Sequence, residues 1–247
     1  MTNYLEIGLE HGSWLLERLG KDVPDTHFIF EFTRNSIQAG ATKILFDRDQ
    51  IYHELTGVNK LSIIDNGSGM TGPEMVKFIN NFASSSHKMG HDANFGLGAK
   101  ISAFPRNPAG TVYLSRKDGL NYSVTVDIDS KTGIWGIRPI ETPDGTYSYW
   151  INVSDEIMPE IILKHNQGTS VSLYGSNESE NTMLRPKGAI SQGINWITKE
   201  LNSRFVKIPN NVDLRVQEYN SKDGEITTPL RAKQIEGNLP FLQRNSD

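Results

Sequence analysis

The sequence contains no cysteine, which excludes disulfides, thiolate metal sites and cysteine nucleophiles. It also lacks any stretch approaching the roughly 18 apolar residues that a membrane-spanning helix needs. Its amino terminus mixes polar and apolar residues, without the charged start and apolar core that are typical of a secretory signal. These absences favour a reducing compartment, and we expect a cytoplasmic protein with no membrane partner.

Runs of lysine and arginine are absent too, and the formal net charge is -4. A mildly acidic chain without basic clusters gives no electrostatic sign of nucleic-acid binding. Of the 247 residues, 36% are hydrophobic and 22% are charged, which is the composition of a globular protein. The length is enough for one large domain or two small ones.

The first hundred residues show helical spacing of apolar side chains, interrupted by two short apolar runs. Asp25 and Thr26 are candidate caps for the second helix, which we expect to end at Gly40. The predicted helices cover residues 3–20, 27–39, 72–82 and 97–104. The predicted strands cover residues 42–47 and 60–65.

From 111 to 151 the apolar residues alternate, which predicts antiparallel strands with turns at Asp118-Gly119 and Asp144-Gly145. Helices followed by a meander of strands predict an α+β fold. We expect a two-layer α/β sandwich, with a mixed, mostly antiparallel sheet and helices on one face. The remaining predicted elements are a strand over 169–174, a helix over 188–203 built on Ile190, Ile194, Ile197 and Leu201, and a final strand over 212–219.

Four segments carry residues suited to chemistry, and the first lies in the second helix. At about 100° per residue, Glu31, Asn35 and Gln38 fall within about 60° of one another, beside an apolar strip that includes Phe28 and Phe32. A carboxylate and an amide therefore project from one face, one turn apart. The alternative interpretation is the solvated face of an ordinary amphipathic helix.

The second segment places Asp65 at the end of an apolar strand, followed by Gly67, Gly69 and Met70. Ligands tend to bind at strand ends, and glycines let the backbone approach a ligand closely. Taken alone, the segment is equally consistent with a plain strand-to-helix turn.

The third segment runs from Gly96 through Leu97 and Gly98 to Lys100 and leads into a helix. Glycines at a helix start present free N–H groups to an anion, although the spacing is neither that of a Walker A loop nor that of a dinucleotide fingerprint. The alternative is a flexible loop with a glycine-rich exit. The fourth segment, Gly168-Thr169, opens a strand and means little by itself.

In this order the four segments resemble the motifs of the GHKL superfamily, the Bergerat-fold ATPases of gyrase, chaperone, histidine-kinase and MutL type. The matching motifs are Glu31-x-x-x-Asn35, Asp65-x-Gly67-x-Gly69, Gly96-x-Gly98 and Gly168-Thr169. The resemblance is dense over residues 27–105 and touches 168–171. It implies an ATP-binding domain over residues 1–220, with 221–247 as a polar tail that would begin a linker to a transducer or output domain.

The resemblance also implies roles for individual residues. Glu31 would be the catalytic residue that orients and deprotonates the attacking water, and Asn35 would ligate Mg²⁺. Asp65 would accept a hydrogen bond from the adenine amino group, and Thr169 would complete this contact through water. The other nucleotide contacts that the resemblance implies come from Gly67, Gly69, Met70, Lys88, Gly96, Leu97, Gly98 and Lys100.

The segment Ala83–Gly90 resembles the lid over the nucleotide, whose serines and Lys88 would reach phosphate; a solvated loop is the alternative. His87 and His91 have a spacing seen in metal sites, but no further ligands accompany them, so we expect no metal there. By resemblance, the lid and residues 1–20 would form a homodimer surface when ATP binds.

Glu31 favours ATP hydrolysis, because histidine kinases commonly lack a carboxylate at this position. The run from Asn35 to Thr42 is similar to MutL proteins, whereas Phe95 to Lys100 looks more like MORC ATPases. Gln38 departs from the aspartate of many relatives, which weakens the subfamily assignment. Two alternatives stay open: a nucleotide-switched binding module without hydrolysis, and a histidine-kinase catalytic domain. We expect the chain to be the N-terminal part of a larger protein.

Overall fold

The computed structural model describes residues 3–7, 12–80, 97–191, 193, 195–222 and 225–239. In that part of the chain, helices pack on a large, mostly antiparallel sheet. The helices are α1 (Gly12–Lys21), α2 (His27–Gln38), α3 (Gln50–Thr56), α4 (Gly72–Asn80), α5 (Leu97–Ala103), α6 (Glu160–His165) and α7 (Trp196–Arg204). Short 3₁₀ helices lie at Phe104–Arg106, directly after α5, and at Asp155–Ile157, before α6.

The strands up to residue 128 are β1 (Leu5–Glu6), β2 (Lys43–Arg48), β3 (Leu61–Asp65), β4 (Thr111–Lys117) and β5 (Leu120–Ile128). The later strands are β6 (Trp135–Ile137), β7 (Ile140–Glu141), β8 (Tyr147–Ser148), β9 (Ile151–Asn152), β10 (Gly168–Leu173), β11 (Asp213–Val216), β12 (Tyr219–Lys222), β13 (Glu225–Pro229) and β14 (Lys233–Gln234).

Ten of the strands in the described part of the chain form one sheet, in the order β1-β6-β5-β4-β10-β3-β2-β11-β14, with β9 paired to β5. The pair β2–β11 is parallel, and the other ladders in this sheet are antiparallel. The pairs β7–β8 and β12–β13 form two small separate sheets. The α+β fold class predicted from the sequence is thus confirmed.

The two faces of the sheet support cores of different size. Ile63 belongs to the main core, which also contains Phe32 of α2, Met75 of α4 and Leu201 of α7. The next residue, Ile64, points to the opposite face, because side chains alternate along a strand. There it packs in a small core with Met158 and with Ile162 of α6. Most helices therefore share one face, and the short α6 covers part of the other.

Local sequence signals predicted several elements well. The expected helix over 27–39 is α2, followed by Gly40 with a φ of +76°. The predicted strands over 42–47 and 60–65 are β2 and β3. Asp118 and Gly119, with φ values of +52° and +78°, form the tight turn between β4 and β5. Such positive φ values are typical of two-residue hairpin turns, for which Asp-Gly is a favoured sequence.

The prediction of one helix over 3–20 was wrong at its beginning. Leu5 and Glu6 form β1 and pair with Ile137 and Gly136 of β6, and α1 begins at Gly12. Pairing with a strand more than a hundred residues away prevails here over local helical spacing. The capping prediction also failed in its detail, because the Thr26 side chain makes no cap and instead accepts a hydrogen bond from Arg204.

The helix predicted over 188–203 is shorter than expected. It begins at Trp196, and Ile190, one of the four residues on which the prediction rested, is 62% exposed. Ile194 lies outside the described residues. Gly188 has a φ of +83°, a conformation that interrupts a helix. The spacing of the isoleucines thus predicted a longer apolar face than α7 has.

The final strand predicted over 212–219 ends at Val216, and it is not the last strand. β12 and β13 form a hairpin beyond it, and β14 returns to pair with β11 in the main sheet. Side chains of this hairpin are mostly exposed, so the segment carries little apolar alternation to reveal it. Residues 221–239 thus contain strands where we expected a polar tail, and the domain boundary at 220 stays a prediction.

The described residues lack two kinds of feature, a membrane-spanning helix and a cluster of metal ligands. No helix there has both the length and the apolar character needed to cross a bilayer. No group of three or more His, Cys, Asp or Glu side chains within the same ranges is arranged to hold a metal ion. His87 and His91 lie outside those ranges, so the expectation that they bind no metal stays a prediction.

Candidate functional site

A cavity of about 250 Å³ lies between α2, α4 and the central strands β3, β10 and β4 of the sheet. The antiparallel register explains why motif residues meet there: Asp65 ends β3, and Thr169, near the start of β10, is its direct partner. The apolar lining consists of Phe32, Ala39, Ile63, Met70, Phe78, Tyr113 and Val171. The polar lining consists of Asn35, Ser36, Asp65, Ser68 and Thr169, with Gly69 beside them. A mainly apolar cavity with a few polar groups at one end suits a flat heterocycle.

Asp65 is the charged residue of this cavity, and it is 7% exposed. One carboxylate oxygen accepts a 2.7 Å hydrogen bond from Ser36 Oγ, and the other accepts a 2.8 Å bond from the Gly67 amide. The backbone amide of Thr169 also donates to this carboxylate. Burial raises the pKa of Asp65 above its ordinary value, although these three donors oppose the shift.

The sequence motifs did not identify Ser36, although it follows Asn35 directly. Its side chain is buried and fixes the Asp65 carboxylate from α2. A serine one residue after the polar face of a helix points toward the buried seam, because successive residues differ by about 100°. That angular offset is the signal from which Ser36 could have been predicted.

Thr169 belongs to a second group of hydrogen bonds at the same end of the cavity. Its hydroxyl lies 3.1 Å from Ser115 Oγ of β4. Ser115 donates to the Gly168 carbonyl at 2.9 Å and accepts from the Met70 amide at 2.8 Å. Ser115 thus joins the first glycine motif, through the adjacent Met70, to the last one, Gly168-Thr169, and nothing in its local sequence marked it.

Two glycines allow the chain segments around Asp65 to approach one another. Gly69 has a φ of +63°, and a Cβ added there would lie 2.0 Å from the Arg116 carbonyl oxygen. Gly168 has a φ of +141°, and a Cβ there would lie 2.1 Å from the Asp65 carbonyl oxygen. Any side chain at either position would therefore separate β3 from β4 or β10.

Glu31 lies one helical turn before Asn35, and its side chain is 13% exposed. Its Oε1 lies 3.1 Å from His27 Nε2 and 3.5 Å from Arg34 Nη1. The sequence motifs did not include His27, although the i, i+4 spacing places its side chain beside that of Glu31 on one helix. His27 restricts the orientation of the carboxylate that the sequence marked as catalytic.

Residues 26–145 match the sequence family described as histidine kinase-, DNA gyrase B- and HSP90-like ATPase. This match agrees with the resemblance of the four sequence motifs to the GHKL superfamily. No curated protein sequence matches the chain. Among solved structures, the chain is similar to the 43K ATPase domain of Thermus thermophilus gyrase B in complex with an aminocoumarin, at 15% identity and a TM-score of 0.46. The similarity covers 90% of this chain and 49% of that one, so the chain spans about half of its length.

The cavity collects residues from three of the four sequence motifs. Asn35, Asp65, Gly69, Met70 and Thr169 line it together. Gly67 lies behind Asp65 and donates its amide to that carboxylate. Lys88 and Gly96 lie outside the described residues, so their contacts stay predictions.

The second glycine motif lies next to Glu31. Leu97 begins α5 and packs against the main core, and Gly98 follows it. A Cβ added at Gly98 would lie 2.3 Å from Glu31 Oε2. Gly98 therefore leaves room for the carboxylate and not only for a ligand.

On the expectation that Glu31 is the catalytic base of an ATPase, Gly98→Ala should lower ATP turnover by up to about 10², because a displacement of about 1 Å in a catalytic group has consequences of this size. The new methyl group would meet the flexible end of Glu31, so the carboxylate would move while the backbone stays in place. Stability should hold or rise slightly, since alanine favours a helix interior over glycine by about 1 kcal/mol. Steady-state turnover and a thermal unfolding midpoint check both parts, and unchanged turnover would contradict the contact.

Lys100 is arranged differently from a surface residue that awaits phosphate. Its ammonium group is fully buried, donates a 2.6 Å hydrogen bond to the Phe78 carbonyl and lies 5.1 Å from the centre of the Phe78 ring. Burial lowers the pKa of Lys100 to about 8. In this structure Lys100 joins α5 to α4 at the wall of the cavity, and its predicted phosphate contact remains untested.

A larger cavity of about 1240 Å³ lies elsewhere, between α7 and the strands near β14. Its lining includes Lys199, Arg215 and Lys233 and contains none of the motif residues. The smaller cavity is the better candidate ligand site, because it combines an apolar wall with a buried, polarised carboxylate.

Proposed function

We propose that this chain binds ATP together with Mg²⁺ and hydrolyses it. The observation that carries the proposal is the position of Glu31, which His27 orients beside Gly98, one helical turn from Asn35 in the cavity wall. A partly buried carboxylate at this place is suited to accept a proton from water.

The adenine base would occupy the apolar cavity. Its ring would pack against Met70 and Phe78, and its amino group would donate to Asp65. A buried carboxylate that already accepts three hydrogen bonds keeps one fixed orientation, so its remaining lone pairs give directional recognition. Gly67 and Gly69 leave the base free access to this end, because neither carries a side chain.

Asn35 fits the requirement for a magnesium ligand. Among the described residues, no side chain hydrogen-bonds its amide, and the residue lines the cavity. Magnesium prefers oxygen donors and is usually held by one or two protein groups together with phosphates and waters. When bound, the ion would neutralise charge on the phosphate oxygens.

The triphosphate would extend from the cavity toward Gly98 and the start of α5. The backbone at Gly96, Leu97 and Gly98 would contact phosphate oxygens, with Lys88 and Lys100 as additional cationic partners. Support for this direction comes from the contact between Gly98 and Glu31, because it places the second glycine motif beside the expected catalytic group.

In the reaction, a water oxygen forms a bond to the γ-phosphorus while the bond from that phosphorus to the bridging oxygen breaks. Glu31 takes one proton of the water, and ADP and inorganic phosphate are released. Phosphoryl transfer depends mainly on positioning and on stabilisation of charge, so the chain needs no covalent nucleophile. His27 would keep the carboxylate turned toward the water.

Release of inorganic phosphate from ATP by this chain, with Mg²⁺ and then with the metal chelated, tests the proposal. We expect turnover that needs the metal. Binding of ATP without any release of phosphate would instead favour the second candidate function, a module in which nucleotide only switches an interface. Transfer of phosphate to a histidine would favour a histidine-kinase domain, which Glu31 argues against.

By the same resemblance, we propose that the chain is the N-terminal motor or switch of a larger, cytoplasmic protein of MORC-like or MutL-like type. The absence of cysteine suits a reducing compartment. Gln38, which is exposed at the end of α2, leaves the choice between the two subtypes open.

We also expect ATP to promote a homodimer through the region of α1. Trp14 on this helix is 58% exposed and Leu19 is 36% exposed, so the helix presents apolar surface outward. Nucleotide can shift the monomer–dimer balance only if it binds the dimer more tightly. Sedimentation should show monomer with ADP or no nucleotide, and dimer with a non-hydrolysable ATP analogue.

Trp14→Ser should weaken this dimer, whereas Leu55→Ser is a matched control. Leu55 lies on α3 and is 80% exposed, so its replacement removes apolar surface from a different helix. A sedimentation mass that is the same with and without the ATP analogue would contradict the proposed dimer. Equal weakening by both variants would contradict the choice of α1.

A further inference from the structure

Ser115 is completely buried behind the polar end of the cavity. On β4 it lies directly opposite Thr169 of β10, which lies directly opposite Asp65 of β3. Directly paired residues of neighbouring strands point to the same face of a sheet. Three polar side chains therefore form a row across the sheet. Asp65 and Thr169 line the cavity, and Ser115, next to Thr169, lies outside the lining.

The hydrogen bonds of Ser115 determine where its single proton goes. A serine hydroxyl has one proton to donate and two lone pairs that accept. The Met70 amide can only donate to Ser115, and the Gly168 carbonyl can only accept from it. The remaining bond, 3.1 Å long, joins Ser115 to the Thr169 hydroxyl. Since Ser115 has used its proton, Thr169 must be the donor in that bond.

This arrangement fixes the polarity of Thr169. Its proton points away from the cavity toward Ser115, so its hydroxyl offers only lone pairs to a ligand. The ionised Asp65 carboxylate is likewise an acceptor only. The polar end of the cavity therefore matches a ligand edge that donates hydrogen bonds, and it repels an edge that carries a carbonyl oxygen.

We propose that Ser115 is a positioning residue that holds Thr169 as an acceptor and so selects a purine with an amino group at C6 over one with a carbonyl there. The inference rests on the proposed function, because it assumes that the base of ATP occupies this cavity. Ser115 does not touch the base itself; it acts through the Thr169 hydroxyl.

Inosine triphosphate is the sharpest probe, because its base carries a carbonyl at C6 and a proton on N1, where adenine has an amino group and an unprotonated nitrogen, and neither base has a substituent at C2. Affinities of ATP and of inosine triphosphate are measured for the full chain and for Ser115→Ala. Loss of Ser115 frees the Thr169 proton, which can then turn toward a C6 carbonyl. The preference for ATP should fall about tenfold, the factor that corresponds to one exchanged hydrogen bond.

Two further variants separate this role from simple packing. Thr169→Val removes the fixed acceptor and should also lower the preference, and Ser115→Ala added to it should change the ratio no further. Thr169→Ser keeps the hydroxyl and should keep the preference. An unchanged ratio in Thr169→Val would refute the proposal even if Ser115→Ala does not fold.

Equal weakening of both nucleotides by Ser115→Ala would mean that the serine only supports the backbone, and would overturn the inference. An unchanged ratio in Thr169→Val would overturn it as well. A wild-type chain that binds neither nucleotide would overturn the proposed function, and this inference with it. A wild-type preference for ATP with unaltered ratios in all variants would leave the proposed function standing and remove the role of Ser115.

Discussion

Replacing Glu31 by alanine should lower ATP turnover by about 10²–10⁴ and leave ATP affinity almost unchanged, since this is the usual contribution of a general base. The affinity for ATP should survive because Glu31 does not line the cavity of about 250 Å³ that we propose for the base. The fold should survive too, because the contacts of Glu31 are to His27 and Arg34, both partly exposed, and such pairs contribute about 0–1 kcal/mol. Phosphate release measures the turnover, and titration of the same preparation with ATP measures the affinity.

Two control variants make this test specific. Glu31→Gln keeps the size of the side chain and its position near His27 but removes most of the basicity, so its turnover should fall as far as that of the alanine variant. His27→Ala keeps the base and removes one contact that orients it, so a smaller loss is expected. Undiminished hydrolysis in Glu31→Gln would mean that another group activates the water.

Much of the candidate site could be predicted because its residues carry local signals. The spacing of Glu31 and Asn35 is a property of one helix, and Asp65 follows directly from an apolar strand. Gly69 and Gly168 are required by positive φ values and by backbone contacts near 2 Å for any added Cβ. For Glu31, Asn35 and Asp65 the pattern lies in a few consecutive residues, so the sequence shows it directly, whereas the close contacts of the two glycines, to Arg116 and Asp65, become visible only in the fold.

Other site residues depend on register between distant strands, which local patterns do not reveal. Ser115 reaches Thr169 across 54 positions of the chain, and Ser36 reaches Asp65 across 29. Both are small polar residues in otherwise ordinary elements. Their roles become visible only when the pairing β4–β10–β3 and the packing of α2 on that sheet are known.

Two of the strands that the sequence did not reveal share the same cause. β1 and β14 are each two residues long and exist because they pair with β6 and β11. Neither contains enough residues for a period to be recognised. Lys100 is a further example: its position in a glycine-rich motif suggested phosphate, whereas its burial and its bond to the Phe78 carbonyl depend on how α4 and α5 pack.

Replacing Asp65 by asparagine should remove most of the affinity for ATP, a loss of about 1–3 kcal/mol for a buried hydrogen bond that involves a charged group. The amide group of asparagine would also face the Ser36, Gly67 and Thr169 donors with a donor of its own. Asp47→Asn is the matched control, because burial raises the pKa of Asp47 as well but this residue does not line the base cavity. Titrations with ATP and GTP check the result, since guanine has no amino group at C6; equal curves for the two nucleotides on the wild-type chain would refute the role of Asp65.

The raised pKa of Asp65 gives this prediction an independent test in pH. The ionised carboxylate is the acceptor, so affinity is present above the folded-state pKa and is lost as the pH falls through it. Because burial has raised that pKa, the loss should begin at a higher pH than for an exposed aspartate. Adenosine is the suitable ligand, since it has no phosphates that titrate. Asp65→Asn should bind adenosine weakly and without this dependence, which separates Asp65 from titration of the base itself; the same pH profile in both proteins would assign the change to another group.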